Sequence, residues 1–326
     1  MNLSALDQRL LNDWQRDFPL VARPFDALAA TLGLSADEVL ARLARLQAAG
    51  AFSRIGGVWA PGVGGAALLC AYALPPEQLE AAAQRVNALP GVNHNYERED
   101  RYNLWFVITG ADAPSLQTQL DTLDAELGLC CLRLPMRRPY RIDLGFDLQQ
   151  RLAPRGGCSR KAPPVLGRDR ALAAWLEDGL PLVHRPYDLA AIRTGRPLAS
   201  VLNQLQQWQM EGTLKRLGVI VRHHELGFDQ NAMAVFDAPD EQVDALGQRL
   251  AAQTGVTLAY RRERAADWPY NLYAMVHGRE RAEVQAAVDS ARHAAGLDGL
   301  PHKLLFSRRR FKQQGGRYFS AEAPHG

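Results

Sequence analysis

Long apolar runs are what this sequence lacks first. No stretch approaches the roughly 18 to 20 consecutive apolar residues that cross a bilayer. The opening MNLSALDQRLLNDWQRDF is amphipathic and acidic, where a secretion signal is basic and then apolar. Both observations point to the cytoplasm. Cysteine is scarce as well: Cys70, Cys130, Cys131 and Cys158 are the only four, and no two form a CxxC pair. That spacing excludes a disulfide framework and a zinc knuckle, and no metal site is expected. Cys130 and Cys131 are adjacent in an apparent strand, so at most one faces any shared site. Net charge is the third lack. With 38 basic against 35 acidic residues the chain carries only +3, too little for an overall polycation that grips nucleic acid. Basic chemistry here has to be local.

What is present is a globular composition, 47% hydrophobic and 22% charged over 326 residues, enough for two or more domains. The chain also repeats itself. PLVARPFDALAA at Pro19 returns as PLVHRPYDLAAI at Pro181, an offset of 162 that also carries Gly50 to Gly212, Arg54 to Arg216 and Gly56 to Gly218. The offset widens to 164 between Tyr96 and Tyr260 and to 168 between Tyr102 and Tyr270, which places a four-residue insertion within AADWP of the second copy. Between the copies, Gln150 to Gly167 is rich in Pro, Gly, Ser and basic residues and reads as a linker.

Each copy divides again. In the first, Leu6, Leu10, Leu11 and Trp14 recur at helical spacing, PFDALAATLG is a short helix ending at Gly33, and SADEVLARLARLQAAG opens on a Ser35 cap with Glu38 three residues later. AFSRIGGVWA then reads as two short strands about a Gly-Gly turn, a small wing. Beyond the wing, both copies run strand, helix, strand, strand, helix, strand. The expected class is therefore α+β, a tandem repeat of a winged helix-turn-helix and a ferredoxin-like βαββαβ sandwich. The boundaries are 1–62 and 63–149, the linker 150–167, then 168–224 and 225–326.

A winged helix before such a domain resembles the Lrp/AsnC transcriptional regulators, so DNA binding is the first function to weigh. A reading helix offers basic and amide groups near its N-terminus, whereas this one opens with Asp37 and Glu38. Up to residue 60 six arginines face six acids, and PLASVLNQLQQWQMEG of the second copy has no Arg or Lys, although Asn203, Gln204, Gln206 and Gln207 are base-reading types. Phosphate neutralisation supplies most nonspecific affinity. DNA binding becomes the runner-up, with the helix-turn-helix kept as scaffold.

Positive charge gathers on the last strand of each copy: Arg133, Arg137, Arg138 and Arg141, then Lys303, Arg308, Arg309, Arg310 and Lys312. In a ferredoxin-like sheet these approach Arg98 and Arg262 of the hairpins, forming a basic, aromatic-rimmed concavity in each copy. The plainer reading is solvated edge-strand charge that prevents aggregation. Arg pairs bidentately with carboxylates, so the first reading calls for a large anion with many of them. Strand alternation puts His94, Tyr96 and Arg98 on one face and Asn95 and Glu97 on the other, and a His there suits acid/base work or an iron ligand. His223 and His224 follow the second wing and, being adjacent, face opposite ways. His277 reads as packing. In YNLWF, Leu104 and Phe106 pack the core while Asn103 and Trp105 lie opposite.

The long stretches HNYEREDRYNLWFVITG, GVIVRHHELGFDQNAMAVFD and YRRERAADWPYNLYAMVHG resemble the sirohaem decarboxylases, Lrp/AsnC-like enzymes formed by two related polypeptides (AhbA and AhbB, or NirD and NirL). The order and linker resemble the fused NirDL type over nearly the whole chain. The resemblance implies cofactor-free loss of carbon dioxide from the C12 and C18 acetates of sirohaem, giving 12,18-didecarboxysirohaem for haem d1, with the iron tetrapyrrole as substrate. It implies catalytic roles for His94, Tyr96 and Arg98 and for His223 and His224. Substrate contacts would come from Tyr102, Asn103, Trp105, Arg137 and Arg138, and from Tyr260, Arg262, Tyr270, Asn271, Arg308 and Arg309. The family often has His where this chain has Asp100. The second copy has Leu258 opposite His94, so either one site is catalytic and the other vestigial, or His223 and His224 compensate. The two halves are expected to pair as a pseudo-dimer, with further homo-oligomerisation open.

Overall fold

The computed structural model describes residues 3–142, 162–222 and 230–319. Three helices open the first copy: α1 (Ala5–Asn12), α2 (Pro24–Leu32) and α3 (Ala36–Ala48). Their ends are written locally. Ser4 and Asp7 form a capping box on α1, Ser35 and Glu38 form one on α3, and α2 starts on Pro24 and stops at Gly33, whose φ of 69° suits glycine. The second copy answers with α6 (Arg170–Asp178), α7 (Pro186–Thr194) and α8 (Leu198–Glu211).

The wing differs from its expectation. AFSRIGGVWA does not turn back on itself; it forms one strand, β1 (Phe52–Trp59), paired antiparallel with β6 (Leu214–Val221) of the other copy, Gly56 opposite Gly218. The glycines are there for close approach. A Cβ on Gly57 would lie 2.8 Å from the side chains of Leu176 and Leu214, and one on Gly218 would lie 2.3 Å from the Gln15 carbonyl oxygen. A Gly-Gly pair signals a turn or a tight contact equally, and here the contact won. One apolar core consequently runs through both helical units, from Phe25 and Leu43 to Trp175, Tyr187 and Trp208. The end of the inter-copy segment joins it, since Val165 is buried and its N–H donates to Val63 O at 2.8 Å.

Downstream, each copy forms a βαββαβ unit: β2 (Ala66–Tyr72), α4 (Pro76–Ala88), β3 (Val92–Arg98), β4 (Leu104–Gly110), α5 (Ala113–Leu127) and β5 (Leu132–Ile142) in the first. The second has β7 (Gln230–Phe236), α9 (Val243–Ala251), β8 (Val256–Arg262), β9 (Leu272–Gly278), α10 (Arg281–Ala295) and β10 (His302–Gln313). The two sheets do not stay separate. They join edge to edge into a closed eight-stranded barrel in the order β10-β3-β4-β2-β5-β8-β9-β7, with β7 bonded back to β10. Two seams therefore link the copies, β10 with β3 and β5 with β8.

Closure gives the central barrel strands, such as β4 and β9, two covered faces. Outward residues such as Cys70, Phe106 and Ile108 pack under the helices, while Leu69, Trp105, Leu134, Met233, Tyr273 and Leu305 fill the barrel. This is why LWFVITG reads as almost continuously apolar, as doubly covered strands do. Among the described residues no helix is long and apolar enough to cross a membrane.

Because a Cβ at position 218 would meet main-chain oxygens that cannot rotate away, Gly218→Ala is expected to destabilise the chain by on the order of 1 to 3 kcal/mol. Thermal denaturation checks this, and an unchanged midpoint would show that the β6 approach to the Trp14–Gln15 backbone is not close-packed.

Candidate active site

His94, Tyr96 and Arg98 share one face, as alternation implied, and in the closed barrel that face is the interior, since Val107 opposite His94 and Trp105 opposite Tyr96 point inward. Asn95 goes the other way and donates to Ala83 O and Asn87 Oδ1 under α4. The His94 and Tyr96 rings stack at 6.3 Å and 23°, and the Arg98 guanidinium lies 5.4 Å from the Tyr96 ring centre. Burial, with Arg98 beside it, lowers the His94 pKa from 6.5 to about 4. Burial also raises the Tyr96 hydroxyl and brings Arg98 down to about 10. The His94 imidazole is therefore neutral at neutral pH.

Its tautomer is set by residues that sequence reasoning passed over. Thr109 Oγ1 lies 3.2 Å from Gly91 O and 3.1 Å from Arg317 O, so its proton is used on a carbonyl, and it accepts from Asn93 Nδ2. Asn93 Oδ1 is thereby left 2.7 Å from His94 Nδ1. An amide oxygen only accepts, so Nδ1 carries the proton and Nε2 is the basic atom. Asn93 sits on the opposite strand phase to His94, so alternation alone does not bring the two together.

The two basic strands behave otherwise than expected. Two β-bulges in β10, between Ser307 and Arg309 and between Arg310 and Lys312, bring Ser307 opposite Arg98, Arg310 opposite Tyr96 and Gln313 opposite His94. Every third residue then faces inward, in place of every second. Arg308 and Arg309 are turned out to Glu99 and to Glu80 and Glu97. On β5, Arg137 and Arg138 are likewise held by Glu263 and Asp244. These four do not form an inward carboxylate wall, because helix and turn carboxylates already neutralise them.

Arg98 and Arg262 are 6% and 5% exposed. Each donates to a main-chain carbonyl of the other copy, Arg98 to Leu305 O at 2.9 Å and Arg262 to Leu134 O at 2.6 Å. Arg262 also lies 4.6 Å from the ring centre of Tyr260, which stacks on Tyr273 inside the barrel. Both arginines thus act as seam latches, and Tyr260 as packing.

Asn103 and Asn271 are engaged by backbone. Each amide spans one residue's backbone N–H and carbonyl, Leu74 for Asn103 and Ala238 for Asn271, at 2.8 to 3.0 Å. Tyr102 gives its hydroxyl to Asp267, Trp105 donates to Tyr102 O at 2.6 Å, and Tyr270 packs on Trp268. Asp267 and Trp268 belong to the AADWP insertion, which closes that end of the barrel. Asp100 takes Lys303 at 2.5 Å and the Tyr102 N–H at 3.1 Å, so it serves as a cross-copy brace. His223 and His224 lie outside the described residues.

A cleft of about 280 Å³ is lined by Arg222, Arg310, Phe311, Lys312 and Gln313, the last of which pairs with His94 across the seam. A second, of about 360 Å³, lies at the far end of β3 among Glu97, Arg98, Glu99, Asp100 and Arg308. Among the described residues no group of three or more His, Cys, Asp or Glu is placed to hold a metal ion.

Compared with known proteins, residues 63–141 and 225–312 match the AsnC-like ligand binding domain, and residues 7–52 match the siroheme decarboxylase NirDL-like HTH domain. The chain is 42% identical over 321 residues to the siroheme decarboxylase NirDL subunit of Paracoccus pantotrophus, covering 97% of this chain and 98% of that one. It also superposes on the crystal structure of the siroheme decarboxylase NirDL with a TM-score of 0.69 and 26% identity, over 97% of this chain and 95% of the other. A complex of NirDL with an iron-uroporphyrin III analogue gives a TM-score of 0.66, at 26% identity over 94% and 92% of the two chains.

The depressed His94 pKa makes stability depend on pH. Neutral His94 contributes stability that is complete above pH 6.5 and is lost as pH falls toward about 4. His94→Gln is expected to flatten that acid dependence in urea unfolding followed between pH 7 and pH 4. An unchanged slope would mean that the imidazole is not desolvated.

Proposed function

The chain belongs to the siroheme decarboxylases of the NirDL type, and from that membership we propose that it removes the carboxyl groups of the C12 and C18 acetates of sirohaem. The product is 12,18-didecarboxysirohaem, on the way to haem d1. End-to-end identity with a NirDL relative carries the reading, and the buried His94–Tyr96 pair supplies its chemistry.

In each step the bond between the acetate methylene and its carboxyl carbon breaks, carbon dioxide leaves, and the electron pair passes into the conjugated macrocycle. One proton then converts the methylene to methyl. Atoms and charge balance with no added oxidant or reductant. His94 Nε2, fixed by the Asn93–Thr109 relay, is the atom that delivers the proton, with the Tyr96 hydroxyl beside it. An anionic substrate offsets the charge of Arg98, so the imidazole pKa rises on binding and a proton becomes available where it is used. The iron tetrapyrrole enters as substrate, and no further cofactor is invoked.

The same reading takes each βαββαβ half as a ferredoxin-like unit. Its support is the strand order within a half, last-first-third-second, antiparallel throughout. The units 63–149 and 225–326, behind helix-turn-helix units 1–62 and 168–224 and the linker 150–167, pair as a pseudo-dimer through the barrel. A DNA-reading role is not favoured. The wing strands β1 and β6 are used up on each other, and the start of α3 faces His184 of the second copy, 3.0 Å from Asp37.

Anaerobic incubation with sirohaem, read by mass spectrometry, tests the proposal. The full chain is expected to remove two carboxyl groups, and His94→Ala to be slowed at least about 100-fold. Undiminished double decarboxylation by the variant would remove His94 from the mechanism. Absence of turnover by the full chain, together with salt-sensitive binding to DNA, would overturn the enzyme reading.

A further inference from the structure

The bulges of β10 recur in β5, between Met136 and Arg138 and between Pro139 and Arg141, and set Pro139 opposite Tyr260 and Ile142 opposite Leu258. The two seams thus share one backbone device and differ in what it aims inward. At the β10–β3 seam it aims Arg310 and Gln313 at Tyr96 and His94. At the β5–β8 seam the same four places hold Pro139, Ile142, Tyr260 and Leu258, where there is no cation and no imidazole. Arg310 is oriented by Gln313, whose Oε1 accepts from Nη1 at 3.0 Å, and its charge acts on the Tyr96 hydroxyl. It also lines a cleft together with Arg222, Lys312 and Gln313, the last paired with His94.

Resting on the decarboxylase reading, we propose that Arg310 binds the carboxylate of whichever acetate arm is being cleaved and sets it beside His94. Both decarboxylations then take place in turn at the β10–β3 seam. The β5–β8 seam does no chemistry, and the substrate has to be re-presented between steps. The direction of charge movement sets the kinetic signature. As the carbon–carbon bond breaks, negative charge leaves the carboxylate for the macrocycle, so the guanidinium contact is stronger in the ground state than in the transition state. Removing it costs affinity more than turnover, the reverse of removing the proton donor. The neighbouring Arg309 has the same charge but is aimed outward to Glu80 and Glu97, which makes it the control.

The test is single-turnover and steady-state kinetics on the full chain with sirohaem, each carboxyl loss resolved by mass spectrometry, for Arg310→Gln, Arg310→Lys and Arg309→Gln. Arg310→Gln is expected to raise KM for sirohaem and for the monodecarboxylated intermediate alike, about 10- to 100-fold as for a lost charged hydrogen bond, with kcat changed only a few-fold. Arg310→Lys should recover part of the loss, and Arg309→Gln should match the unaltered chain. If Arg310→Gln behaves like Arg309→Gln, Arg310 is not the anchor. A defect in only one of the two steps overturns the single-seam assignment. Affinity for iron-uroporphyrin III, titrated by absorbance, is read on the same variants. A weaker Arg310→Gln complex supports the anchor even if the unaltered chain fails to turn over sirohaem, a failure that would count against the decarboxylase reading itself.

Discussion

Neither copy can close its sheet alone. The first copy's four strands end in the open edges β3 and β5, and the second copy's in β8 and β10. Four unpaired edges in one chain would invite aggregation. Pairing β3 with β10 and β5 with β8 removes all four, and the two buried arginines fasten the seams by donating across them to Leu305 and Leu134. A buried guanidinium with only a carbonyl for partner is costly, and stacking on Tyr96 and Tyr260 offsets part of that cost. The site inherits its construction from this closure. His94 and Tyr96 come from one copy, and Arg310 and Gln313, set opposite them, from the other.

Duplication made the two seams alike in backbone and left their side chains free to diverge. Bulges that re-aim a strand are retained in both β5 and β10, yet only one seam carries ionisable groups at the inward places set by those bulges beside an imidazole. The helix-turn-helix units show the same economy of reuse. Their strands β1 and β6 bind each other, and their helices form one core that supports the barrel through the Val165 and Phe319 segments, the latter held by the Glu177 carboxylate on the Tyr318 and Phe319 amides.

Much of this was legible in the sequence for identifiable reasons. Capping boxes are local, so Ser35 and Glu38 announced α3, and a clean alternation in HNYER put His94, Tyr96 and Arg98 on one face. The seams were not legible, because a bulge leaves no mark in a single sequence. The resemblance pointed to Arg308 and Arg309 as substrate contacts, while the structure turns Arg310 inward. The fate of the other arginines was hidden for a different reason: their partners Glu80, Glu99, Asp244 and Glu263 are distant in sequence or lie across a copy boundary. Gly56-Gly57 misled because a tight crossing and a tight turn ask for the same residue, and Asn103 and Asn271 because a polar residue next to a site looks the same whether it braces a backbone or binds a ligand.

The central claim is that the reaction belongs to the seam between the first copy's β3 and the second copy's β10. A crystal structure of this chain with iron-uroporphyrin III bound tests it most directly. The account predicts an acetate arm beside His94 Nε2 with its carboxylate on Arg310, and no arm among Leu258, Pro139 and Ile142. A macrocycle seated on the β5–β8 seam, with no arm at His94, would contradict it.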